Sequence, residues 1–285
     1  MAAITAAAVK DLRERTGLPM MKCKQALAEA GGDEEQAIEL LRKEGAKTMA
    51  TKAAERSTAF GRFGTYTGVG NSAGAMVELN CESAPVAGHE EFIQLSNDLA
   101  QALAESDGIS TADELLAAKS PSKPDLTLKD QMDELYGRMR EVFKVGRIIR
   151  YEGGTGGYSH NSGTVSGVLV QVEGGSDEAA KDVAMHVAAM KPAVLDKDSI
   201  DADEVAKERN ILSEAARAEG KPDNIIDKMV EGRMRQFYAE RALLEQPFVK
   251  DDKQSVSKYA KGANMTILAY THWDLADNAP AEEAE

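Results

Sequence analysis

Between Thr5 and Ala46 the apolar residues recur every three or four positions, and two breaks cut the run into three. That period is the signature of an amphipathic helix. Ala8, Val9 and Leu12 share one face of a first helix, with Thr5 as its N-cap and an end near Arg15. Gly17 stops it, because glycine takes the left-handed conformation of a helix terminus without steric cost. Pro19 opens a second helix, where a missing N–H costs nothing; Met20, Cys23, Leu27 and Ala30 follow at helical spacing. Gly31-Gly32 breaks the chain again. Asp33, with Gln36 three residues on, has the spacing of a capping box and starts a third helix, whose apolar face is Ala37, Ile38 and Leu41. None of the three is long enough to be stable alone in water. Residues 1–46 are therefore predicted to fold as one three-helix module around a small core. The module carries no catalytic group and reads as a docking element.

From residue 60 onward the chain repeats itself. AGAMVELNC (73–81) and VSGVLVQVE (165–173) are apolar runs of strand length, each followed by a helical pattern, near 89–105 and 177–190. Gly64-Thr65-Tyr66-Thr67 resembles Gly156-Gly157-Tyr158-Ser159. The separation is 92 residues for Tyr66 and Tyr158, for Val77 and Leu169, and for Leu95 and Val187. A constant separation predicts two gapless copies of one β-β-α unit in an α+β fold. Residues 126–145 read as a helix between them (Leu128, Met132, Leu135, Met139, Val142), and GRIIRYEG (146–153) as an added strand.

Residues 203–240 contain two helical patterns joined by Gly220-Lys221-Pro222. Val205, Leu212 and Ala216 face Ile225, Met229 and Phe237, as in an antiparallel helical hairpin. The expected organisation is a docking module at 1–46 and a linker at 47–59, made basic by Lys47, Lys52 and Arg56. One core subdomain follows at 60–145 and a second at 146–198 and 241–275. The hairpin is inserted at 199–240, and an acidic tail at 276–285 is expected to be disordered.

Net charge is −14, yet residues 1–60 are nearly neutral, so the excess acid lies in the body. A negative body repels phosphate backbones, which argues against direct nucleic-acid binding. It favours solubility and steers the chain toward basic protein surfaces. No apolar run approaches the ~20 residues of a membrane span, and no signal-peptide core is present. A cytoplasmic protein with no membrane partner is expected.

Chemistry-bearing motifs are few. Gly68-Val69-Gly70-Asn71-Ser72-Ala73 fits G-x-G-x-x-A, but that fingerprint needs a strand before it and a helix after it. Here a strand follows, so the segment reads as a hairpin turn. Gly153 to Gly157 lacks the Lys-Ser/Thr of a phosphate-binding loop. No cofactor and no bound nucleotide are expected. Cys23 and Cys81 read as buried, inert thiols; an enzyme using either as nucleophile has no local motif in its favour. His89, His160, His186 and His272 lack metal-ligand spacing. His186, among Met185, Val187 and Ala188, reads as a packed histidine.

LRERTG, MMKCKQAL, the Gly-Gly-Asp break and AIELLRKEGA, in that order, resemble the N-terminal domain of the bacterial elongation factor Ts family. HVAAMKPAVL, GKPDNIIDKMVEGRMRQFYAE and EQPFVKDD extend the resemblance over nearly the whole chain. It departs at Pro19 and Lys22, where the family usually has a small residue and an acidic one. The resemblance implies a ubiquitin-associated-like helical module, two related subdomains and an inserted hairpin. It also implies a guanine nucleotide exchange factor for the GTPase elongation factor Tu in translation elongation, bound both to its GDP form and to its nucleotide-free form.

On the same resemblance, Arg13, Thr16, Gly17 and Leu18 dock the module on the GTPase, and Glu82, Ser83, Ala84, Pro85 and Val86 form the loop that displaces magnesium. For Arg13 and Thr16 the alternative is a plain helix-surface and turn role. Where this chain reads Asn80-Cys81-Glu82-Ser83-Ala84-Pro85-Val86, the family usually reads Asn-Cys-Gln/Glu-Thr-Asp-Phe-Val. The Asp-Phe wedge is thus replaced by Ala84-Pro85, without its charge and its ring. A partner that binds and stabilises elongation factor Tu with weak or no exchange is therefore the alternative function. His160 matches a family histidine that faces the GTPase and is a candidate contact; otherwise it is a solvated turn residue. A homodimer through 199–240 completes the expected partners.

Overall fold

The three N-terminal helices form as α1 (Ala6–Thr16), α2 (Met20–Glu29) and α3 (Glu34–Ala53). They are seen in a computed structural model that describes residues 4–53, 56–219 and 222–278. The Thr5 side chain accepts the Ala8 N–H, and Gly17 takes φ 67°, returning its N–H to the Arg13 carbonyl. Asp33 accepts the Gln36 N–H at 2.9 Å. Val9, Leu12, Cys23, Ala26, Leu27, Ala37 and Leu41 close the core. α3 continues past residue 46 to Ala53, so the first half of the expected linker is helical; residues 54–55 lie outside the described residues.

The first core unit holds β1 (Phe60–Tyr66), β2 (Ala73–Cys81), α4 (Ala84–Ala87), α5 (Glu90–Glu105), α6 (Ala112–Ala117), α7 (Leu128–Met139) and β3 (Lys144–Glu152). Its sheet is antiparallel in the order β1-β2-β3. GRIIRYEG therefore belongs to this unit and not to the second: β3 pairs with β2 from Ala73↔Glu152 to Asn80↔Lys144. Phe143 and Val145 draw it there, because both are buried in the core under α5 and α7.

The second unit holds β4 (Thr155–His160), β5 (Ser166–Gly174) and α8 (Asp177–Met190). The hairpin α9 (Ala202–Ala218) and α10 (Asp223–Arg241) follows, then β6 (Pro247–Phe248), β7 (Asp251–Ser255), α11 (Val256–Gly262) and β8 (Met265–Asp274). Its main sheet has the order β4-β5-β8.

The two sheets stack through Phe63, Met76 and Leu169. α5 covers the outer face of the first sheet over Val77 and Leu79. α8 covers the outer face of the second over Val168, Val170 and Val172. Apolar burial thus builds four layers, helix–sheet–sheet–helix.

Glycines at the helix crossings fix how the units correspond. A Cβ at Gly64 would lie 1.9 Å from the Ser96 carbonyl oxygen, and one at Gly156 would lie 2.5 Å from the Ala180 carbonyl carbon. Gly64 and Gly156 are 92 apart, as the sequence predicts for the first strands. Tyr66 lies opposite Ala75, but Tyr158 lies opposite Val168, so the second strands match at 93. Ser96 and Ala180 place the helices at 84. On that register the buried Leu95, Ser96, Leu99, Ala100, Ala102 and Leu103 fall on Ala179, Ala180, Val183, Ala184, His186 and Val187. The separation is therefore not constant. Leu95 corresponds to Ala179 rather than Val187, and Val77 faces its helix whereas Leu169 faces the other sheet. The drop from 93 to 84 is an excess of nine residues in the first unit between matched strand and helix positions: six in the connection, 82–89 against 175–176, and three in the earlier start of α5.

The hairpin closes on Ile200, Ala216, Ile226, Val230, Met234 and Phe237. The inward face of α10 is one residue later than predicted at its start: Ile226 is buried and Ile225 is 43% exposed. Gly220 and Lys221, and residues 279–285 of the acidic tail, lie outside the described residues. Among the described residues, no helix is long and apolar enough to cross a membrane.

Candidate functional site: the loop between the second strand and its helix

β2 is buried along its whole length, so the chain first meets solvent after Cys81. Ser83 is extended, at φ −140°, and leads into the single turn α4. Ala84 and Pro85 are exposed on that turn, while Val86 and Ala87 are half-buried against the first core. Proline suits the place, since a first-turn N–H has no helical acceptor to lose.

Two crossed carboxylate contacts pin the start of this loop to the turn joining α7 to β3. Glu82 accepts the Val142 N–H at 2.7 Å and two 3.1 Å contacts from Arg56. Glu141 in return accepts the Ser83 N–H at 3.1 Å and the Ser83 hydroxyl at 2.6 Å. The Cys81 thiol donates to the Ser83 carbonyl at 3.2 Å, and Arg62 donates to the Ala87 carbonyl at 3.1 Å. The loop is held at both ends with Ala84-Pro85 presented between them. Glu82 is an anchor here, because its carboxylate is already engaged within the protein. Burial pushes the Cys81 thiol up to about 12, so at neutral pH it is no thiolate nucleophile.

The residues expected to dock the module separate into two groups. Arg13 is exposed on α1. Thr16 shapes its own turn: its hydroxyl donates to the Leu12 carbonyl at 2.7 Å and accepts the Leu18 N–H at 3.3 Å. Leu18 is half-buried in a groove lined also by Ile38, Leu41, Asp133 and Gly137, where the module meets α7. Arg42 and Glu134 form an ion pair across that meeting, at 2.5 Å. Beside the turn, Met20 is 49% and Met21 73% exposed. The helical spacing predicts Met20 on the inward face, with Cys23, Leu27 and Ala30, and the structure instead exposes it. Adjacent positions lie about 100° apart round a helix, and the buried face of α2 is the narrow one of Cys23, Ala26 and Leu27, which leaves both methionines outside it. Flexible, polarizable side chains of this kind suit an adaptable contact surface.

The end of α7 connects the two candidate regions. Gly17 and Leu18 lie against Arg138 and Gly137, and Glu141 and Val142, just beyond, hold Ser83 and Glu82. His160 belongs to the second unit instead. It is half-buried, its Nδ1 is 3.0 Å from the Tyr158 hydroxyl, and it lines a groove with Thr164, Met185, Ala188 and Lys191.

His186 is fully buried, as its apolar neighbours predicted. Among the described residues, no group of three or more His, Cys, Asp or Glu is placed to hold a metal ion.

The family model described as Elongation factor TS matches residues 82–277. Proteins named Elongation factor Ts are similar over almost the full length. The one from Methylococcus capsulatus is 40% identical, over 98% of this chain and 94% of its own. The one from Herminiimonas arsenicoxydans is 43% identical, over 97% of this chain and 92% of its own. The one from Ralstonia nicotianae is 43% identical, over 95% and 90%. With the model covering most of the chain and such relatives covering nearly all of it, this chain belongs to the elongation factor Ts family.

Proposed function

We infer that this protein is the guanine nucleotide exchange factor for elongation factor Tu in protein synthesis. The observation that carries the reading is the excess loop of the first unit, held at both ends in a chain of this family. Exchange makes and breaks no covalent bond, so the protein is not an enzyme and needs neither cofactor nor metal of its own. It acts by binding nucleotide-free elongation factor Tu more tightly than the GDP form; by linkage, GDP affinity then falls by the same factor. Magnesium bridges the phosphates and the GTPase, so its site is the natural point of attack. The loop 82–86 is directed at it, with Glu82 and Ser83 as its anchors and Ala84-Pro85 as its tip. Arg13, the Thr16–Leu18 turn and the exposed Met20 and Met21 dock the module, and His160 adds a contact from the second unit. The reaction belongs to the cytoplasm, where translation runs.

The alternative, a binding and stabilising partner with weak exchange, draws on the small Ala84-Pro85 tip. Stopped-flow release of fluorescent GDP from elongation factor Tu decides between them. Acceleration by this protein is the expected result. Complex formation with unchanged release would leave the stabilising partner, and no complex would sink both. Ile211 and Ile225 are exposed on the hairpin, which supports a second copy of this chain as a further partner through 199–240. Sedimentation at micromolar concentration should then show dimers, and monomer alone would refute them.

A further inference from the structure

We propose that Glu141 is a positioning residue for exchange, acting through Ser83 to fix the angle at which Ala84-Pro85 is presented. The inference rests on the exchange reading above, and it adds a residue from outside the loop. Glu141 follows α7, 58 positions along the chain from Ser83. One carboxylate oxygen takes the Ser83 N–H and the other takes its hydroxyl. Both bonds are charge-assisted, the stronger class of hydrogen bond. Ser83 is the residue at which the chain leaves the sheet and turns into α4, and its own side chain makes no helix-capping bond. The bond that would cap α4 is replaced by one to Glu141, so the direction of the turn is set from outside it.

The second unit shows what this place looks like without that demand. On the strand register, Cys81 corresponds to Gly174, and the turn before β8 puts the Asn264 carbonyl where a Cβ on Gly174 would be only 2.5 Å away. Backbone packs on backbone there, and Gly175-Ser176 lead directly into α8. The Glu141 contact occurs only where there is an excess loop to aim. A loop aimed in advance loses less entropy on insertion into its partner. That gain appears in the distorted complex, where the tip is inserted, and little of it in the first encounter.

The test compares full-length wild type with Glu141→Ala, Glu141→Gln and Ser83→Ala, titrated against elongation factor Tu carrying fluorescent GDP. Loss of a charge-assisted bond should lower the maximal release rate of Glu141→Ala about tenfold, with the half-saturating concentration little changed. Glu141→Gln keeps an acceptor for the N–H and a donor for the hydroxyl, so it should restore most of the rate. Ser83→Ala, which keeps the backbone contact, should lose less than Glu141→Ala. Hydrogen exchange at the Ser83 amide should be fast in Glu141→Ala and slow in the wild type. A wild-type plateau in Glu141→Ala overturns the proposal, as does a change confined to half-saturation. Should Glu141→Ala melt at a lower temperature, Ser83→Ala with an unaltered rate overturns it instead. Wild type that fails to accelerate release overturns the exchange reading, and the Ser83 amide then still decides whether Glu141 holds the loop.

Discussion

The two core units share a sheet, a glycine–helix contact and an edge bulge, yet each directs its difference another way. Each has its second strand in the middle of three, and the pairing of that strand with the third breaks at matching places, beside Glu78 and beside Gln171. The first unit then adds six residues outside its helix, 82–89 against 175–176, and starts the helix three residues earlier. The second unit changes the helix itself. Where α5 has the buried Ala102, α8 has His186. His186 accepts the Val249 N–H at 3.1 Å and lies 2.9 Å from the Gln246 side chain. Gln246 to Val249 is the chain returning from the inserted hairpin. One copy of the scaffold therefore presents a loop outward, and the other anchors an insertion inward. A duplicated fold supplies two platforms of equal geometry, and function attaches to whatever departs from that equality.

The largest effect should come from erasing the first departure. Replacing residues 82–89 by Gly-Ser, the connection used between β5 and α8, should return GDP release to near its unassisted rate. A loss of about a hundredfold or more is expected, equivalent to ~2.7 kcal/mol of the barrier. Stopped-flow release, with a melting curve to verify the fold, reads it; acceleration that survives would mean the excess loop is not the lever. Erasing the second departure should act on stability. His186→Ala makes α8 like α5 and leaves the Val249 N–H and the Gln246 side chain without their partner. A buried polar network broken together with a new cavity should cost about 3 kcal/mol. A urea unfolding shift below about 1 kcal/mol would show that the return chain is anchored elsewhere.

The next effect is a gain. Ala84→Asp with Pro85→Phe places a carboxylate at the start of α4, where the N-terminal dipole favours it, and an aromatic ring on the exposed tip. A phenylalanine buried in a cleft contributes ~1.5–3 kcal/mol, so nucleotide release should accelerate about ten- to a hundredfold. An unchanged release rate would separate presentation of the loop from its chemistry and favour the weak-exchange partner.

Why the asymmetry of the units escapes a sequence reading is itself physical. Eight residues are a little over two helical turns, so a register error of eight keeps most apolar positions on one face. Leu95 pairs almost as plausibly with Val187 as with Ala179 for that reason. The strand membership of Ile148 and Ile149 is set by pairing with β2 some seventy residues earlier, a contact that leaves no local mark. The same holds for Glu141 and Ser83. Legible features are the local ones: the Thr5 cap, the left-handed Gly17, the Asp33 cap and the three-residue apolar period that builds the module core. The exposed loop is marked in the sequence only by its resemblance to a family. Its attachment, through two crossed carboxylates, required the fold.

The smallest effect expected distinguishes the units by pH. The Nδ1 of His186 accepts the Val249 N–H, so the ring proton sits on Nε2 and points to the Gln246 oxygen. A second proton would have to displace that N–H within an apolar core, and burial holds the His186 pKa below its usual value. The folded state therefore keeps the neutral ring after the unfolded chain has begun to charge, near the ordinary histidine value of about 6.5. Above that pH both states are neutral and the contribution to stability is complete. Below it the unfolded state binds the additional proton, and stability falls by up to about 1.4 kcal/mol per pH unit until the folded ring also titrates. His272, likewise lowered chiefly by burial, acts in the same direction from β8. Both lie in the second unit, while His89 of the first is exposed at the start of α5. Amide hydrogen exchange between pH 7 and 5, corrected for the intrinsic rates, should thus lose protection in α8 before α5, and His186→Ala should flatten the difference. Equal loss in both helices would show that the units open together, so that the packing between the two sheets couples them more strongly than either histidine distinguishes them.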